Sequence, residues 1–321
     1  MRIDRDQLLR LATFWLRPDF VLRVVARFQA IVGFDRAMAL ASSALVATIP
    51  LTIVIGAVMP NSSDAAGRLI SRYGLTGDGA AAVRGAFQPA SEVSTGIGVI
   101  GAFLLIISML SFTRAVQRLL EQTWQLPPLS VRNTISGVKW LGTFVIYLIL
   151  TGAVHSALDG RGEGIIAVIV LLPVTAGFLL WTGHLLSGYR ITLRDLLPFA
   201  LVAAALVGIY ELGAAIYTPH AFNSYAARYG VIGVVFAMIS TLFGLMLTIV
   251  TSAAIGREIR IELDNIAAGV RPSEDEVRKQ WEIVLDGFRA ELQRVRRRPR
   301  SHPPDNGHEQ LEADATQREQ R

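Results

Sequence analysis

The sequence predicts an all-α polytopic membrane protein, with six transmembrane helices plus peripheral amphipathic helices. Three observations carry this. The 321 residues are 52% hydrophobic and only 18% charged, against about 25% charged in an ordinary soluble domain. Mean hydropathy is +0.43. The charges are also clustered, with no ionisable side chain in 37–59 or in 230–256. Such a composition excludes a disordered chain, a coiled coil and a disulfide scaffold, and the absence of cysteine excludes thiolate chemistry and Cys-ligated zinc.

Residues 1–36 form an N-terminal amphipathic segment. Val21, Leu22, Val24, Val25, Phe28, Ile31 and Val32 recur at helical spacing, with Arg23 and Arg27 on the other face. Such a helix lies on the inner membrane surface or packs on the bundle. No uninterrupted apolar run precedes residue 37, so the first membrane helix is expected to be its own uncleaved insertion signal. The transmembrane domain, 37–256, holds six stretches near the ~20 apolar residues that cross a bilayer: 37–59, 96–113, 138–158, 164–186, 196–217 and 230–256. Segment 60–95 has scattered apolar residues for one or two short helices. Next comes a cytoplasmic helical segment, 257–298. Pro272, Ser273 and Glu276 have capping-box spacing, and Val277, Trp281, Val284, Phe288, Leu292 and Val295 make one stripe. The tail, 299–321, has almost nothing apolar and is expected to be disordered.

Basic loops stay cytoplasmic. Lys and Arg number seven in 1–36, four in 114–139 and two in 187–195, against three in 60–95 and one each in 159–163 and 218–229. Both termini are therefore expected in the cytoplasm, with the protein in the cytoplasmic (inner) membrane.

Glu211 is the sharpest single residue. It lies about six residues, roughly 9 Å by helical rise, from the outer end of the fifth stretch. An intramembrane carboxylate should face the bundle interior or a wet cavity. It reads as a proton or cation site on a pathway, as a structural hydrogen bond to a neighbouring helix, or as a side chain reaching toward the outer interface. Tyr210 beside it is a pathway or interfacial residue. Pro50 and Pro173 fall mid-span and are expected to kink their helices. Gly96, Gly98 and Gly101 spell G-x-G-x-x-G, but within an apolar run, where close helix packing explains them better than a dinucleotide. Ala39, Ser43 and Ala47, like Ala204 and Gly208, have the same small-residue spacing. His155 and His184 show no metal-ligand spacing, and no nucleophile triad is visible. Arg294, Arg296, Arg297 and Arg298 form a basic run without interleaved aromatics. It suits anionic lipid headgroups, and no nucleic acid is expected. No cofactor, metal or catalytic residue is expected. A protein partner or homo-oligomer would suit the apolar stripe of 273–295.

Several features together resemble the YihY/BrkB inner-membrane family. They are a Ser- and Ala-rich first helix ending in Pro50, a basic helix after the second span, Arg114-Ala115-Val116-Gln117-Arg118 through Trp124, and Tyr229-Gly230-Val231-Ile232-Gly233 entering the last span. The resemblance covers about residues 30–260 and implies a six-span fold. Gly256 and Glu258 stand where members often carry a Gly-Ala-Glu-like run. Some members carry a ribonuclease BN label. The functional expectation is a non-enzymatic membrane protein that moves or flips a small or lipidic solute. The alternatives are a non-transporting scaffold for envelope partners and, last, a membrane-bound ribonuclease, which lacks a metal-ligand cluster to activate water.

Overall fold

A computed structural model describes residues 18–58, 95–129, 134–158 and 165–269, with isolated positions between 67 and 84. The chain divides into two units, Phe20–Arg271 and a second made of Met1–Asp19 with Pro272–Arg321. Nearly all of the second lies outside the described residues, as do the predicted helix 273–295, the tail and Arg294, Arg296, Arg297 and Arg298.

Every described element is a helix. In chain order they are α1 (Pro18–Ala30), α2 (Gly33–Val58), α3 (Thr95–Thr123), α4 (Thr134–Leu158), α5 (Ile165–Leu186), α6 (Leu193–Gly230) and α7 (Ile232–Ala267). Five are long and apolar enough to cross a membrane, and α1 with the start of α2 supplies a sixth, bent by 54°. By helix length and composition, this is a multi-pass membrane protein.

The bend between α1 and α2 has a local cause. Val32 adopts φ +52°, a costly conformation for a β-branched residue. A Cβ on Gly33 would collide with the Phe28 ring, so glycine lets the chain turn against that aromatic. Ile31, Ala37, Leu40 and Ala41 then pack with Leu119 of α3 and with Met246 and Val250 of α7. The close-packing small residues of α2 are therefore Ala37, Ala41 and Ala47. Ala39 is exposed and Ser43 only half-buried.

A second cluster joins α3, α4, α5, α6 and α7 through Leu105, Met109, Trp140, Leu179, Phe199 and Ala253. Helix α4 is the least buried of the spans and holds to α5 through rings. Phe144 meets Phe178 at 6.2 Å, and Tyr147 stacks on Phe178 at 4.3 Å. Trp140 Nε1 donates to Thr182 Oγ1 at 3.0 Å.

The basic helix expected after the second span is continuous with it, so α3 runs to Thr123, and one expected connection is in fact helix, since α6 runs through 218–229 to Gly230. At 38 residues, α6 is about 57 Å long by helical rise, well beyond a ~30 Å hydrocarbon core. The reversal into α7 takes one residue. Gly230 has φ +58°, ψ −137°, a region essentially restricted to glycine. A Cβ on Gly233 would strike the Tyr225 backbone. Thr76 N–H donates to Asn223 Oδ1 at 3.0 Å, tying the segment before α3 to the projecting part of α6. Helix α5 runs on through Pro173 and α2 through Pro50. Among the described residues, Gly230 is the non-helical position at which two long helices join.

Candidate functional site

Most charged side chains of the described helices collect at one end of the bundle, where α1 and α2 meet, α3 and α7 finish, and α4 and α6 begin. Three ion-pair groups order that end. On α7, Glu258 and Glu262 are one turn apart, and their side chains are 4% and 2% exposed. Arg27 Nε donates to Glu258 Oε1 at 2.7 Å and Arg23 Nη2 to Glu262 Oε2 at 2.7 Å. Helix α1 thus turns its arginines inward and leaves Val21, Leu22 and Val25 exposed. The expected amphipathic helix is present, with its polar face against the bundle.

Between α6 and α7, Arg260 pairs with Asp195 at 2.8 Å and with Asp264 at 2.9 Å. Asp195 N–H is in turn accepted by Thr192 Oγ1 as α6 starts. At the end of α3, buried Glu121 accepts from Arg190 Nη2 at 3.1 Å and from Leu129 N–H at 2.6 Å. Arg190 also donates to the Pro127 and Ser187 carbonyls. One guanidinium therefore fastens the α3–α4 connection to the α5–α6 turn.

Beside Glu121 lies a cavity of about 630 Å³, walled by α2, α3, the chain to Leu129 and the start of α4. That size falls within the range of ligand pockets. Its polar lining is Arg36, Arg114, Gln117, Arg118, Glu121, Gln122 and Gln125, and Leu110, Leu126 and Leu129 supply apolar wall. Arg114 and Arg118 are one turn apart on α3, and Arg36 comes from α2. Among the described residues, none of the three has a carboxylate partner. Gln125 holds φ +55° where the chain leaves α3, and Leu126 N–H closes the helix on the Glu121 carbonyl at 2.7 Å. Such a cavity can receive an anion with hydrogen-bonding oxygens.

Glu211 lies elsewhere, on the exposed side of α6 and apart from this cavity. Of the expected placements, exposure suits a side chain reaching toward the outer interface rather than one turned to the bundle interior. Tyr210 does turn inward. Its hydroxyl donates to the Thr241 carbonyl at 2.6 Å, with the ring against Gly244, so it fastens α6 to α7. Gly96, Gly98 and Gly101 lie inside helix α3. His184 Nδ1 is 2.8 Å from the Ile191 carbonyl and its ring meets Tyr189, a turn-forming role. Among the described residues, no three His, Asp or Glu side chains gather as a metal-ligand set.

Sequence reading missed the cavity and the buried carboxylates. Arg114 and Arg118 were visible at helical spacing, but Arg36 joins them only through the packing of α2 on α3. Glu258 was visible as a motif remnant. That it pairs with Arg27, 231 residues earlier, had no local signal.

The helices define the class, a multi-pass membrane protein. No family model, curated protein or solved structure matches the chain.

Proposed function

We propose that this protein is a YihY/BrkB-like protein of the cytoplasmic membrane that moves or flips an anionic small or lipidic solute without acting as an enzyme. Its basic end and both termini face the cytoplasm. The supporting observation is the cavity at the charged end, which is large enough for a headgroup-sized ligand and walled by three membrane helices. The scaffold reading rests mainly on 273–295, outside the described residues, so the cavity is the firmer ground.

The test is reconstitution of full-length protein into vesicles containing a fluorescent anionic phospholipid, with a membrane-impermeant reductant added outside. Translocation bleaches the dye beyond the outer-leaflet share. Bleaching that stops at that share, as in empty vesicles, sinks the lipid-flipping form of the proposal. A parallel record of proton and ion flux, with Glu211→Gln beside wild type, tests the pathway role of Glu211.

A further inference from the structure

We infer that the cavity recognises the phosphate of an anionic phospholipid headgroup, with Arg36, Arg114 and Arg118 as its binding residues. This deepens the functional proposal and rests on its placement of the basic end at a membrane surface.

The charge balance comes first. Glu121 is the one acid among the lining residues, and it is already occupied by Arg190 and the Leu129 amide. Among the described residues, the three guanidiniums on two packed helices have no carboxylate partner. Like charges one helical turn apart repel, and an anion between them relieves that. Planar guanidinium forks suit phosphate oxygens. Gln117, Gln122 and Gln125 add neutral donors and acceptors for the rest of a headgroup.

A second observation separates a lipid from a free anion. Phe103, Ile107, Leu110, Arg114 and Arg118 follow one another at three- and four-residue steps, so they share one face of α3. Phe103 and Ile107 are 64% and 49% exposed. Eleven residues from Phe103 to Arg114 cover about 16 Å, close to half of a ~30 Å hydrocarbon core. An apolar strip from Phe103 to Leu110, about 10 Å long, thus leads to arginines that sit about one leaflet's depth from Phe103. A phospholipid has this layout, with its acyl chain beside the strip and its phosphate at the basic end. A soluble phosphate would use the arginines and leave the strip unused.

The test measures equilibrium binding of a fluorescent phosphatidylglycerol and of its phosphatidylcholine counterpart to full-length protein in detergent. Wild type, Arg114→Gln/Arg118→Gln, Arg36→Gln and the distant control Arg228→Gln are compared. Side chains 114 and 118 are exposed, so the variants should fold, and thermal melts check this. Wild type is expected to prefer the anionic lipid by roughly ten-fold, and each cavity arginine removed to cost roughly ten-fold. Arg228→Gln should bind like wild type. Equal binding by wild type and the double variant overturns the site. Displacement of the lipid by millimolar inorganic phosphate overturns the lipid assignment in favour of a free anion, and no displacement supports it. Because no leaflet exists in detergent, retained binding with failed translocation would sink only the flipping proposal.

Discussion

Glu258 and Glu262 are carboxylates with almost no access to solvent, and they are tolerated there because α1 brings two guanidiniums to them. The consequences of cutting the contact are asymmetric. Removing one member of a buried pair strands the other, at about 3–5 kcal/mol. Arg27→Ala should therefore lower unfolding stability in detergent by about 3 kcal/mol. Arg23→Ala should cost less, about 1 kcal/mol, because that side chain is 40% exposed and solvent screens it. Replacing both ions, as in Arg27→Leu/Glu258→Leu, should restore much of the Arg27→Ala loss. Denaturant titration of the double-mutant cycle measures this, and additive losses would mean that the two ions do not interact. The individual ions were visible in the sequence, but their pairing was not. Arg27 read as the wet face of a surface helix because amphipathicity shows that a helix has two faces, not which one meets protein.

At the level of elements, small residues decide how closely α6 and α7 approach. A Cβ at Gly256 would run into the Phe199 backbone, which cannot swing aside as a side chain can. Gly256→Ala should force the helices apart and destabilise by about 1–3 kcal/mol. Gly213, on the exposed side of α6, has nothing within 4 Å of the same construction. Gly213→Ala should stabilise by about 0.5–1 kcal/mol through helix entropy alone. Thermal unfolding of the two variants should move in opposite directions, and a shared direction would contradict the close crossing at Gly256. The membrane cores of these helices were legible because apolar length reports burial in lipid. Their ends were not. A helix that leaves the bilayer keeps its backbone hydrogen bonds whatever its polarity, so 114–123 and 218–229 lost their apolar signal without losing their helix. Pro219 lies inside α6, and the reversal waits for Gly230, where positive φ is available.

Across the whole molecule, the uneven distribution of Lys and Arg along the sequence becomes spatial. Arg23, Arg27, Arg36, Arg114, Arg118, Arg190 and Arg260 come from distant parts of the chain and gather where the described helices begin and end on one side. The projecting part of α6 and the segment around Thr76 belong to the opposite end. If basic segments are retained in the cytoplasm, Leu193 at the start of α6 is cytoplasmic and Ala81 is outside. Both side chains are exposed, and the chain has no cysteine of its own, so a single introduced thiol gives an unambiguous label. In intact spheroplasts, Ala81→Cys should react with a membrane-impermeant maleimide, while Leu193→Cys should react only after permeabilisation. The reverse pattern would place the arginine cavity on the outer face and remove the ground for an inner-leaflet lipid site. Labelling of both in intact cells would mean that α3, α4 and α5, which separate Ala81 from Leu193 along the chain, do not form the crossings that their length permits. Cytoplasmic retention acts on basic residues flanking short connections, and Arg190 and Arg194 lie in such a connection between α5 and α6. The Leu193 label therefore reports the side on which the cavity opens, since Arg190 is bonded through Glu121 to the cavity wall itself.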